Sequence, residues 1–596
     1  MTYKARLRQR LLTILVTFSL LLLTFPAQGQ QSRKTARATA PARPRLVLLL
    51  VVDQFRYDYL ERYADLFAPN GLKRLLDNGA NWVDANYDHM PTYTAPGHAT
   101  LMTGAYPAET GIVGNEWIDR ETGKKVTSVS DDGVKLFGGG AKEIASSPRR
   151  LMASTLGDEL RLASNDRARV IGISLKDRSA ILPAGRHPNA AYWISAVTGN
   201  IVSSSYYFAQ LPKWVEDFDA THPADKYFGK VWERLLPEAE YLKRVGADSP
   251  PWENIGNIPG DTNAFPHKIT GGAAAVGPDF YNALANSPFS NEVLLSFAEQ
   301  AIVNEQLGQD EITDVLSLSF SANDYVGHRY GPYSQEEMDI TLRTDRQIGA
   351  LLDFVDEHVG LRNTVVVFSA DHGMAPIPEH ATALGLPGGR VNSALALAKI
   401  RAAISARYNR ESKTPDPTSD YILRYEDFGT MKDGLINANL YFNYAALKRD
   451  GVSLDEIERV AADGIMTVPG IARCFTRAQL LRGAVSLTDP IERRVLHGFY
   501  PQRSGDLIMV TDPFKYFIEY AITATHGSPY SYDTHVPLII MGSGLKAGRY
   551  FQAAAPTDIA PTLAAILGIQ PPSNATGRIL IEGLPQATNS QNAPPH

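Results

Sequence analysis

Arg45–Val52 (RLVLLLVV) runs without a break into Asp53, and the pattern recurs twice further along the chain. Asp314–Ser321 (DVLSLSFS) leads into Asn323, Asp324 and, four residues on, His328; Asn363–Ala370 (NTVVVFSA) delivers Asp371, His372 and Gly373. A strand with one wet face alternates apolar and polar residues, so near-continuous β-branched and leucine runs suit a parallel sheet covered on both faces. The expected class is α/β, with a central, mostly parallel sheet, helices on both faces and inserted cap regions. Enzymes of that build carry their chemistry at the carboxyl ends of the strands. That is where these acids and histidines fall.

The spacings have chemical content. Asp324 and His328 are four apart and share one face if the strand rolls into a helical turn. Asp371 and His372 are adjacent, and Gly373 is expected to supply the backbone freedom for a sharp turn that brings both to one ion. Carboxylate oxygens with imidazole nitrogens suit zinc better than calcium or magnesium, with manganese, cobalt and iron left open. A lone Asp-His pair is usually a cap and a surface histidine. Three such clusters at strand ends in one chain make a functional constellation.

Thr94 lies in Met90–Thr100 (MPTYTAPGHAT), a turn-rich entry to a helix-like run. Threonine followed two residues on by proline signals a helix N-terminus, where an anion is attracted and a metal can hold a hydroxyl as alkoxide. Thr92 competes for that role but precedes the turn. Lys176 and Arg178 follow the strand-like Arg169–Ile173, and their i, i+2 spacing points both the same way in an extended segment. Asn115, after Gly114, is by default an asparagine turn.

Lys4, Arg6, Arg8 and Arg10 precede the apolar run Leu11–Leu23, and Pro26-Ala27-Gln28-Gly29 follows. This is expected to be a signal peptide, residues 1–29, too short for a comfortable membrane span, so the protein is read as exported to the periplasm or secreted, without stable membrane insertion. Residues 30–44 read as a disordered linker. The formal net charge of −6 falls to −10 without residues 1–29, which leaves no general attraction for nucleic acid. A single cysteine, Cys474, allows no internal disulfide. The expected organisation is a core over 45–379 and 521–584 with an insertion at about 185–290, an inserted cap over 380–520, and a disordered tail, 585–596.

The ordered set VVDQFRYDYL, PTYTAPGHATLMTGAYP, GIVGNEW, SLKDR, SANDYVGH, SADHGM, THGSPYSYDTHVPL and DIAPTLAAILGI resembles the alkaline phosphatase superfamily. Within it, the chain is similar to the PafA-type bacterial phosphatases with a threonine nucleophile. The resemblance implies an alkaline-phosphatase-like core and two Zn²⁺, one on Asp53, Thr94, Asp371 and His372, the other on Asp324, His328 and His526. His526 is preferred over His535 because it opens the His-Gly-Ser-Pro stretch. It further implies hydrolysis of small-molecule phosphate monoesters through a phosphothreonine intermediate, with Asn115, Lys176 and Arg178 binding the phosphoryl group. In PafA-type enzymes a lysine stands where others bind magnesium. A sulfatase is excluded because Cys474 sits in Ala472-Arg473-Cys474-Phe475. A nucleotide pyrophosphatase or phosphodiesterase remains the alternative, although it typically lacks the Lys-x-Arg pair. A non-catalytic periplasmic metal- or phosphate-binding protein would have lost a part of the site, and every part is present.

Overall fold

The computed structural model describes residues 43–253, 262–408, 421–427, 430–518 and 523–585. The expected signal peptide, nearly all of the linker and the tail beyond Pro585 lie outside the described residues.

A ten-stranded sheet forms the centre. In chain order its strands are β1 (Leu46–Val52), β2 (Ala80–Trp82), β3 (Leu136–Phe137), β4 (Val170–Ser174), β5 (Ala190–Ile194), β6 (Ile201–Ser204), β7 (Asp314–Phe320), β8 (Thr364–Ser369), β9 (Leu538–Met541) and β10 (Gly548–Tyr550). They lie side by side as β10-β2-β9-β8-β1-β7-β4-β5-β6-β3. The middle five, β8-β1-β7-β4-β5, are all parallel, and β9 and β6 run antiparallel to their inner neighbours.

Strand β1 shows why the apolar run is continuous. Leu46, Leu48, Leu50 and Val52 enter one hydrophobic cluster, together with Leu294 and Phe297 of helix Pro288–Asn304 and Ile348, Leu351 and Leu352 of helix Gln335–His358. Val47, Leu49 and Val51 enter another on the opposite face, with Leu101 and Met102 and with Leu563 and Leu567 of helix Ile559–Leu567. All seven residues of β1 are fully buried. Truncating one of its leucines to alanine costs about 2–5 kcal/mol.

Register does the rest. Val52 pairs with Phe320, Val51 with Ser319 and Ser369, and Ser319 with Ser174, so the carboxyl ends of β1, β7, β8 and β4 are level. The residues that follow, from Asp53, Ser321, Ala370 and Leu175 onward, therefore emerge along one edge.

Two features bear on the expected insertions. The segment expected as an insertion from about 185 begins inside the sheet, because Ala190–Ile194 is a buried apolar strand parallel to β4. Residues within 380–520 build a separate four-stranded sheet, ordered Leu435–Ile436, Asn439–Leu440, Leu507–Thr511, Ile471–Thr476. That sheet has its own hydrophobic cluster, which includes Ile400, Leu440, Ile457, Ile465 and Met509.

Candidate metal centre

Asp53 continues the β1 ladder, its N–H donating to Phe320 O at 3.0 Å. The strand β7 rolls directly into helix Ala322–Tyr330, and the four-residue spacing then brings His328 Nε2 within 3.3 Å of Asp324 Oδ1. Beyond β8, Asp371 and His372 meet at 3.3 Å, Oδ2 to Nε2. His526 Nε2 lies 3.5 Å from Asp324 Oδ1, and its ring stacks on that of His372 with centroids 3.5 Å apart. Thr94 is the first residue of helix Thr94–Thr103, with its Oγ1 3.5 Å from His372 Nε2. All seven residues that the sequence singles out as ligands thus converge. Two groups have donor atoms close enough to hold one ion each: Asp324, His328 and His526; and Asp53, Asp324 and His372. Asp324 belongs to both groups, where the resemblance implied Asp371 beside Asp53.

The donor chemistry fits cations. His328 Nδ1 faces Ala524 O at 2.8 Å, His526 Nδ1 faces Thr92 O at 2.8 Å, and His372 Nδ1 faces Gly373 O at 2.9 Å. A carbonyl only accepts, so each ring carries its proton on Nδ1 and turns the Nε2 lone pair toward the carboxylates, the arrangement that metal-ligating histidines use. Burial pushes the pKa of His372 down, and burial with His372 and His328 nearby pushes that of His526 well down, so both are neutral, as ligands must be. Burial also works against the charged form of His328, but Asp324 outweighs it and raises that pKa. Asp53 Oδ1 is buried without a hydrogen-bond partner. Burial and the adjacent Asp371 hold the Asp53 carboxyl far above the usual range, although Lys176 pulls the other way, the signature of crowded carboxylates with more negative charge than one cation offsets.

Lys176 departs from expectation. It caps helix Asp177–Ala184, so it and Arg178 do not lie on an extended segment; Arg178 is in the first helical turn. Lys176 Nζ sits between two carboxylates, 2.7 Å from Asp53 Oδ2 and 2.5 Å from Asp324 Oδ2. Burial lowers its pKa, but Asp324 and Asp53 outweigh that, and the ammonium stays charged. Arg178 is 3.8 Å from Asp177 and, with Asn115, lines a cavity of about 330 Å³. Asn115 Oδ1 accepts from Ala95 N–H at 2.8 Å, which ties it to the residue after Thr94.

Gly373 is needed for room rather than for an unusual turn, since a Cβ there would lie 2.3 Å from Tyr532 O. Thr92 Oγ1 is engaged by Ser528 O at 2.9 Å. His535 lies outside the cluster, with Nε2 on Val83 O and its ring stacked on Tyr57. His98 links Thr94 O, Asp371 Oδ2 and Ser319 Oγ at 2.9, 3.1 and 2.9 Å. Gln54 was invisible to sequence reasoning. At φ 70° its N–H donates to Asp371 Oδ1 and its side chain to Asp324 Oδ1, at 3.0 and 2.6 Å, so it spans both strand ends. Nothing but its place after Asp53 could have flagged it.

Comparison with known proteins identifies the family and the fold. The family model described as type I phosphodiesterase / nucleotide pyrophosphatase matches residues 47–531. Alkaline phosphatase PhoV of Synechococcus elongatus is 34% identical over 91% of this chain and 93% of its own. A Myroides odoratus protein named calcium-transporting ATPase is 35% identical over 91% and 95%. The crystal structure of wild-type alkaline phosphatase PafA matches with a TM-score of 0.82 and 33% identity, over 91% of this chain and 99% of that one. A PafA variant altered at one threonine, one asparagine, one lysine and one arginine matches equally. Among the described residues no helix is long and apolar enough to cross a membrane.

Proposed function

Since the chain belongs to the type I phosphodiesterase / nucleotide pyrophosphatase family, and within it to the alkaline phosphatases related to PafA and PhoV, we propose that it hydrolyses phosphate monoesters through a phosphothreonine at Thr94. The observation that carries this is the convergence of Thr94 with three carboxylates and three imidazoles at the carboxyl ends of the central strands. Zinc would be held by Asp53, Thr94, Asp371 and His372 in one position and by Asp324, His328 and His526 in the other. Bound there, it supplies Lewis-acid stabilisation of the oxygens that gain charge in the displacement.

The chain's own groups do the remainder. Thr94 Oγ1 forms a bond to phosphorus as the ester oxygen departs; the hydroxyl proton passes to solvent and the leaving oxygen takes one up as an alcohol. Water then attacks phosphorus, Thr94 regains its hydroxyl, and inorganic phosphate is released. The N-terminus of helix Thr94–Thr103 and the Asn115 amide, anchored through its Oδ1, face the transferred group. Lys176 offsets the charge of Asp53 and Asp324, and Arg178 offers a second cation to the equatorial oxygens. Thr94, Asn115, Lys176 and Arg178 are the same four residue types, in the same order, as those altered together in the PafA variant.

Charge favours a monoester over the diester that the family description also covers. Three carboxylates, an alkoxide, one lysine and one arginine come to −2; two divalent ions bring the site to +2, which matches a monoester dianion. A diester carries only one charge. Steady-state rates for a chromogenic monoester and diester test this directly, and a preference for the diester would move the reading to phosphodiesterase. We further read residues 1–29 as an export signal and residues 380–520 as an inserted unit. A mature N-terminus at Gln30 in periplasmic material checks the first.

A further inference from the structure

Resting on that reading, we infer that the two-residue turn Asn437-Ala438 sets which leaving groups the site accepts, with the Asn437 side chain as the specificity-determining group. Ile436 pairs with Asn439, so Asn437 and Ala438 are the whole loop of their hairpin. Both have positive φ, 50° and 59°. Two-residue hairpins of this hand favour glycine at the second position, and alanine there is strained. Such conformations persist where the surroundings over-determine them, and they cluster at functional sites.

Three hydrogen bonds fix the turn. Met509 N–H donates to Ala438 O at 2.9 Å, Asn439 Nδ2 to Asn437 O at 2.9 Å, and Asn437 Nδ2 to Glu116 O at 3.2 Å. The last reaches across to the residue beside Asn115, whose Oδ1 holds Ala95 N–H next to the nucleophile. The turn is therefore a rigid wall joined to the core.

Its location gives it something to select. The cavity of about 330 Å³ is lined by Asn115, Asp177 and Arg178, on the side of the phosphoryl-binding groups. A second, of about 180 Å³, is lined by Tyr93, Tyr516, His526 and Tyr532, on the side of His526. Asn437 lines both, and Ala438 lines the second. An ester seated at Thr94 carries its alcohol portion past this residue. Sequence patterning held no hint of it, because the turn lies some 340 residues after Thr94 in an inserted unit.

The test uses zinc-loaded full-length protein with methyl phosphate as the small ester and 1-naphthyl phosphate as the bulky one. Asn437→Gly removes the side chain and suits the positive φ. It should raise the bulky-to-small ratio of kcat/KM roughly tenfold, the scale of a contact or two in a pocket. Ala438→Asn tolerates the same backbone and adds bulk on the His526 side, so it should lower the ratio by a similar factor, and it serves if the first variant folds poorly. An unmoved ratio in both, with wild-type enzyme active on methyl phosphate, overturns this inference alone. A wild type inactive on both esters overturns the phosphatase reading and this inference with it.

Discussion

Asp53, Asp371 and His372 are sealed from solvent, whereas His328 across the centre keeps 26% of its side chain exposed and His526 borders the cleft beneath Tyr93. The inner half has two carboxylates for one imidazole; the outer half has two imidazoles and shares Asp324. Their supports differ as well. His372 leans on the carbonyl of its own neighbour, but His328 and His526 lean on Ala524 and Thr92, from other parts of the chain. The carboxylates and imidazole of the inner half are therefore in place once the strands pair, and helix Thr94–Thr103 adds the hydroxyl. The outer half also requires the segment around Ala524–Ser528 to dock, and it is the half that solvent and a departing alcohol can reach.

The largest effect should come from removing metal. Chelation is expected to abolish monoester hydrolysis in two phases, the outer ion leaving first because it is the exposed one, and zinc should restore turnover. Full activity in protein shown to be metal-free by elemental analysis would sink the dinuclear site, and a single phase would break the contrast between the halves.

Thr94→Ala tests the inner half from the side of the nucleophile. Turnover should fall at least about a thousandfold, while Thr94→Ser, which keeps a hydroxyl, retains appreciable activity. Mass spectrometry of acid-quenched enzyme should place phosphate on Thr94. Phosphate on Thr92 would reassign the nucleophile, against the engagement of Thr92 by Ser528.

His526→Ala should cost the outer half one ion, with an affinity loss beyond the ~10–100-fold expected for a mere supporting partner. His535→Ala should leave both ions in place, since His535 is committed to Val83 and Tyr57. The opposite pattern by metal analysis reverses the assignment. Lys176→Ala and Arg178→Ala should each raise the barrier for a monoester by about 1.5–3 kcal/mol, and that for a diester by less. Equal losses on both would remove the charge argument for a monoester.

Much of the inner half could be read from the sequence because each of its carboxylates ends an apolar run whose register with its neighbours follows from burial on both faces. The Asp324 and His328 pair was equally legible, since four residues make one helical turn. What escaped depends on close approach rather than on pattern. Gly373 makes room for Tyr532, Gln54 bridges two strand ends from a left-handed backbone, and Lys176 turns into the carboxylates from a helix cap instead of an extended strand. The β5 strand was hidden because a buried five-residue run in an aromatic-rich stretch carries no period of its own.

The smallest effect on activity, and the finest probe of the contrast, concerns Asp533. Its Oδ2 accepts from both Ser528 N–H and Ser528 Oγ, at 2.8 and 2.6 Å, and so pins the turn that follows His526. Burial pushes its carboxyl up to about 7, against a usual value near 4, although the Ser528 bonds pull the other way. A raised folded-state pKa means that the group's contribution to stability is complete below its unfolded pKa and is lost as pH rises through 7. Asp533→Asn keeps an acceptor for Ser528 and cannot ionise. The variant should therefore gain in Tm on the wild type as pH goes from 5 to 8, by the equivalent of about 1–3 kcal/mol. With the outer half the part that loosens, wild-type zinc content should fall by one ion at high pH before the inner ion is touched. A Tm difference that stays constant across that range would show Asp533 ionised throughout, and the docking of the outer half would then owe nothing to its protonation.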